Sequence, residues 1–221
     1  MDKIEGRLWD IECTGDTFNT LRSDERFLGL LTLARFVNAL RFCQQPVIDA
    51  RHSDGPSASR QTINSFLFAS SVLYEGFLLI EKLPRPLREY NSFKEGFGIL
   101  LRDKNVIVLR TSVLKRMRNK FVFHFDRTVA QDALKDFDLP YYRFSTCLGE
   151  AAGEMYFGLA DEAVMNYLLQ PKPEESDIDL ELRHKKMTQD ITDLMGKFTV
   201  AAEKLMTEAL VDMGWTSKIR E

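Results

Sequence analysis

The chain is poor in the residues that build metal centres and disulfide frameworks, with 3 cysteines and 3 histidines among 221 residues. Cys13, Cys43 and Cys147 lie far apart and have no metal-like spacing, which argues against both a disulfide scaffold and a structural zinc site. His52, His124 and His184 are just as scattered, so chelation is not expected and neither a metal nor a cofactor enters the reading. There is no glycine-rich phosphate loop, no nucleophile elbow and no zinc-protease motif. Nor is there an uninterrupted apolar run of the length a bilayer needs, and Met1-Asp2-Lys3-Ile4-Glu5-Gly6-Arg7 carries charges where a secretory signal needs an apolar core. The expectation is a cytoplasmic protein with no membrane role. Alternating strand patterns and internal repeats are missing too, and Val106-Ile107-Val108-Leu109 is the one short rival to helix.

What is present is helical periodicity. Ser23-Asp24-Glu25-Arg26 offers a cap, and Phe27, Leu30, Leu31, Ala34, Val37 and Leu40 continue at helical spacing toward Pro46. A loop with His52-Ser53-Asp54-Gly55-Pro56-Ser57 over 51–59 separates this from a second stripe, which ends before Pro84. The spacing predicts helices at roughly 24–44, 60–83, 105–126, 144–169 and 182–213, with a broken piece near 92–102 and Asn105 as a cap. Thr128 and Gln131 suggest a capping box for a further short helix, while Gly149, Gly153 and Gly158 weaken the 144–169 segment. The expected fold is all-α. A chain of this length is most economically one domain over 1–221, with a flexible N-terminus and a polar connection near 170–181.

Charge is distributed unevenly. Residues 102–127 hold eight cations, Arg102, Lys104, Arg110, Lys115, Arg116, Arg118, Lys120 and Arg127, against Asp103 and Asp126. The chain is −3 overall, so this local excess of six leaves −9 on the remainder. Such a run is usually a solvated face, but here it could gather phosphates.

Inside this run stands Arg118-Asn119-Lys120-Phe121-Val122-Phe123-His124-Phe125-Asp126. On a straight helix Leu114, Arg118, Phe121, Val122 and Phe125 share one stripe, so an arginine sits in an apolar face and needs a partner, for which Glu75 on the second helix is a candidate. His124 points instead toward Arg116, Lys120 and Arg127, a cationic cluster that favours neutral imidazole and attracts an anion such as phosphate. A bland reading accounts for the same residues, with Arg118 a snorkelling or interface side chain and His124 a packed one. Arg, Asn and His supply no nucleophile of their own. A substrate that brings one is required, as RNA does with its 2′-hydroxyl.

Arg118-Asn119 followed after four further residues by His124 resembles the signature of the HEPN superfamily, and the phenylalanine-rich flank is similar to that family's motif helix. The resemblance implies an HEPN-like up-and-down helical bundle with additional helices, commonly a homodimer. It also implies a metal-independent endoribonuclease of the kind found in toxin–antitoxin and phage-defence systems, with an antitoxin protein as a partner. Carried onto these positions, Arg118 contacts the phosphate and transition state, Asn119 orients substrate or histidine, and His124 is the general acid or base; Arg116, Lys120 and Arg127 bind RNA. The chain departs from the subgroup that carries a tyrosine two residues after the histidine. It has Asp126 there, so tyrosine modification is not implied and Asp126 either holds His124 or begins the next helix.

On a straight α-helix Arg118 and His124 diverge by about 120° and about 9 Å, which one chain cannot easily aim at one phosphate and a twofold dimer can. The rival expectation is a non-catalytic helical dimer that binds RNA, nucleotide or a protein partner.

Overall fold

The computed structural model describes residues 9–50, 56–122, 131, 146–147, 156–157, 167–168 and 175–219, and within them the protein is all-α apart from two short ribbons. In chain order come β1 (Trp9–Glu12), α1 (Gly15–Leu21), α2 (Glu25–Ala50), α3 (Pro56–Glu81), α4 (Arg85–Glu89), α5 (Asn91–Glu95), α6 (Phe97–Leu100) and α7 (Lys104–Leu109). A π-helical turn (Arg110–Leu114), α8 (Lys115–Met117) and a second π-helical turn (Arg118–Val122) continue the helical path of α7. The two-residue strands β2 (Thr146–Cys147) and β3 (Tyr156–Phe157), the long helix α9 (Asp177–Asp212) and β4 (Thr216–Ile219) complete the order.

Local chemistry explains the helix boundaries. Thr14 caps α1 by accepting from the Thr17 backbone N–H at 3.2 Å, and Asp24 caps α2 by accepting from the Arg26 backbone N–H at 2.8 Å. Helix α2 does not stop near residue 44 as expected but runs through Pro46 to Ala50. An interior proline removes one donor and strains the preceding turn, which a 26-residue helix survives. The start of α3 falls at Pro56 rather than 60, because proline suits a first turn whose N–H groups have no intrahelical partner. Helix α9 begins five residues before the expected 182, inside the supposed connection. Ser176 accepts from the Asp179 backbone N–H at 3.2 Å and donates its hydroxyl to Asp179 Oδ2 at 2.7 Å, a reciprocal cap with Ser-x-x-Asp spacing.

The expected helix over 144–169 is not continuous. Thr146 pairs with Phe157 and Cys147 with Tyr156 in an antiparallel bridge. Glycines weaken helix in this stretch, and Thr, Tyr and Phe fit a pleated surface. The candidate capping box at Thr128 lies outside the described residues.

The chain divides into two compact units, one of Met1–Ala39, Glu75–Ile107 and Leu194–Glu221, the other of Leu40–Tyr74 and Val108–Asp193. No linker marks the division, because its boundaries fall inside α2, α3, α7 and α9.

The first unit is organised around Phe198. Its ring lies 5.1 Å from Phe36, 5.4 Å from Phe77 and 4.9 Å from Phe97, all tilted or edge-on, geometries that add to the stabilisation from burial alone. Gly76 makes room for Phe36, since a Cβ there would collide with the ring of Phe36. A polar clamp ties the start of α2, the α4–α5 corner and the end of α9. Arg26 pairs with Asp24 at 2.8 Å and reaches Asp212 at 3.5 Å, while the Tyr90 hydroxyl donates to Asp212 at 2.6 Å. Burial, followed by the Asp212 carboxylate, pushes the Tyr90 phenol up to about 12. Gly214, at φ 86°, ends α9, with its N–H donating to the Val211 carbonyl and that of Trp215 to the Leu210 carbonyl. The turn delivers β4 to β1, with Trp9 opposite Ile219 and Glu12 opposite Thr216.

The second unit buries Leu67, Leu73, Leu114, Met117, Leu168 and Ile191, together with Ser70 and Ser71. The Ser70 hydroxyl donates to the Phe66 carbonyl at 2.7 Å, whereas the buried Ser71 hydroxyl has no hydrogen-bond partner among the described residues. Thr62–Glu81 of α3 is long and apolar enough to cross a membrane, at a mean hydropathy of 1.5. Burial of Leu67, Ala69, Leu73, Phe77 and Ile80 accounts for that composition as a core helix.

Candidate functional site

Within its described part the basic run is helical from Lys104 to Val122, Val106–Leu109 included. Its cap is Asp103 rather than the expected Asn105, accepting from the backbone N–H of Asn105 at 2.8 Å. An Asp two residues before the first free N–H is the signal that identifies it. The expected single α-helix over 105–126 instead contains two wider turns, in the first of which the Lys115 N–H reaches back to the Arg110 carbonyl, five residues away. Such π segments are rare and occur frequently at functional sites.

Val106, Leu114 and Met117 are buried and Arg118, next to Met117, is half-buried, while the burial of Phe121, Val122 and Phe125, the rest of the expected stripe, lies outside what the structure describes. Arg118 Nη1 donates to Asn119 Oδ1 at 3.1 Å, and both residues stand at the opening of the second π turn. Asn119 therefore engages the arginine directly. His124, Asp126 and Arg127 lie outside the described residues. Glu75 is half-buried on α3 and belongs to the first unit, whereas Arg118 belongs to the second.

Among the proposed RNA contacts, Lys120 is half-buried, and the Arg116 guanidinium lies 5.9 Å from the centre of the Tyr167 ring. A cation over an aromatic face is held electrostatically and shares the geometry with which proteins grip unstacked bases. Nothing in the sequence pairs Arg116 with Tyr167, because the two are far apart in the chain. In the same unit Arg183 forms a two-pronged ion pair with Glu175, at 2.8 and 2.7 Å. The neighbouring His184 is half-buried, and burial pushes its imidazole below the usual range.

The arrangement offers a guanidinium held by its neighbour's amide oxygen and, on the same helical path, an Arg–Tyr stack. Comparison with protein-family models, with curated proteins and with solved structures returns no match.

Proposed function

We propose that the chain is a metal-independent endoribonuclease of HEPN type, a cytoplasmic component of a toxin–antitoxin or phage-defence system that works as a homodimer. The observation that carries the reading is the Arg118–Asn119 hydrogen bond at the mouth of a π turn, five residues before His124 counted from Asn119. RNA supplies the nucleophile. Its 2′-hydroxyl attacks the adjacent phosphorus, the 5′-oxygen leaves, and the products are a 2′,3′-cyclic phosphate and a 5′-hydroxyl. His124 takes the 2′-hydroxyl proton or protonates the leaving oxygen, and Arg118 stabilises charge on the phosphorane. Asn119 holds the guanidinium in place. Arg116, Lys120 and Arg127 attract the flanking phosphates, and Asp126 orients His124. A twofold dimer lets each cleft combine motif residues from two chains.

The half-buried setting of Arg118, already engaged by Asn119, favours one rival: a non-catalytic helical dimer that binds RNA, nucleotide or a protein antitoxin. Incubating purified protein with single-stranded RNA in chelator separates the two. Cleavage to cyclic-phosphate ends supports the nuclease. Inactivity across a mixed cellular RNA pool, with any regulatory partner removed, decides for the binding protein.

A further inference from the structure

In the first unit, the α5–α6 corner and α9 enclose an open groove of about 360 Å³ with Ile99, Leu100, Val200 and Ala201 along its floor. Ile99 is 55% exposed and Val200 49%, so branched apolar side chains meet water where two elements already touch. The walls are close because Gly96 has no side chain: a Cβ there would stand 2.8 Å from that of Ala201. Lys197 and Lys204 rim the groove from α9, and Glu95 faces them from α5. These three charged groups make no ion pair among the described residues. Seven residues of α-helix separate the two lysines, which places them on one face about 10 Å apart along the axis.

We infer that this groove docks a helix of a protein partner, an amphipathic helix with two carboxylates seven residues apart and a branched apolar side chain between them. Charge and spacing select this occupant. A helix laid along α9 repeats the lysine spacing at its own i and i+7 positions, and its i+3 or i+4 side chain then falls over Val200 and Ala201. Glu95 on the opposite wall favours a basic residue on the far flank of that helix and so sets its direction. At about 360 Å³ the groove lies at the lower end of the range of small-ligand pockets, and it is the paired lysines, not its size, that point to a helix. Its aliphatic floor offers no aromatic face on which a base could stack, and Glu95 repels a phosphate backbone. None of these residues belongs to the ribonuclease motif, so the inference stands apart from the catalytic reading.

The test uses the full chain and two lactam-constrained helical peptides followed by fluorescence anisotropy. One carries Glu at two positions two turns apart with Leu midway; the other carries Lys in place of both Glu. The wild type is expected to bind the Glu peptide at least about tenfold more tightly than the Lys peptide, and the double variant Lys197→Glu/Lys204→Glu to reverse the order, since paired charges become opposed. Both lysines are exposed, and circular dichroism verifies that the variant folds. Val200→Ser should weaken the Glu peptide without changing the charge preference. Equal affinity for the two peptides, or binding of neither at millimolar concentration, overturns the inference. So does displacement of the Glu peptide by oligouridylate, or self-association of the wild type that the double variant abolishes.

Discussion

Arg118 and Asn119 are neighbours in sequence whose side chains meet, with Nη1 of the arginine donating to Oδ1 of the asparagine at 3.1 Å. Adjacent side chains on a regular α-helix diverge and do not face each other. At Arg118–Val122 the helix is a wider turn, and the long arginine folds back onto its neighbour. Asn119 thus supplies an acceptor to the guanidinium, a contact that neither charge nor hydrophobicity would assign to it.

Removing the motif groups should therefore have graded effects. On the proposed ribonuclease reading, Arg118→Ala and His124→Ala are each expected to lower single-stranded RNA cleavage by about a hundredfold or more, with folding intact. Asn119→Ala should cost less, about tenfold, and mainly in kcat. Arg118→Lys should not restore activity, because an ammonium cannot reproduce the planar fork. Cleavage that survives Arg118→Ala, or that stops on adding chelator, would contradict the mechanism.

The aromatic cluster at Phe198 predicts where the first unit is most sensitive. Phe198→Ala removes a fully buried ring from contact with three others and should destabilise by about 3–5 kcal/mol, read from the urea midpoint. Gly76→Ala should also destabilise, by about 1–3 kcal/mol, because its methyl group displaces the Phe36 ring. Wild-type stability in both variants would show that the cluster is dispensable.

Ser71 predicts a change of the opposite sign. Its hydroxyl is buried in α3 without a hydrogen-bond partner among the described residues, and an unsatisfied buried polar group costs about 1–3 kcal/mol. Ser71→Ala should raise the melting temperature by a few degrees. A lower melting temperature would mean that the hydroxyl is satisfied in solution.

Acid should weaken the fold in two stages. Burial holds His184 below its ordinary 6.5, and the Arg26 hydrogen bond holds Asp24 below 3.8. Both groups bind a proton less readily in the folded chain, so their stabilisation is complete above the ordinary values and is lost as the pH falls through the lowered ones. The melting temperature is expected to stay level down to about pH 6.5, dip modestly below it, and fall further below about pH 4. His184→Gln should remove the first dip alone. If the dip persists in that variant, His184 is not its source.

Sequence periodicity alone determined that the protein is all-α, because burying one face of a helix imposes a repeat that leaves its trace in Leu30, Val37 and Leu40 or in Ile191, Leu194, Phe198, Ala202 and Leu205; Leu31, read on the same stripe, is 49% exposed and Leu33 takes the buried place. It also located α2, α3 and α9, with ends misplaced by up to six residues, and Gly214 follows the end of α9. Boundaries drifted where two local preferences compete: Pro56 reads equally as loop or first turn, and Ser176 as linker or cap. Thr146–Phe157 shows the limit of local reading, since glycine-weakened helix yields there to a pairing that needs two separate strands. The same limit hid the wide turns at Arg110–Leu114 and Arg118–Val122, the Arg116–Tyr167 stack and the division into two units. Residue types and spacing record what each segment prefers by itself. Only tertiary packing decides which carbonyl an N–H reaches, or which distant ring covers a guanidinium, because those choices depend on partners that the local sequence does not contain.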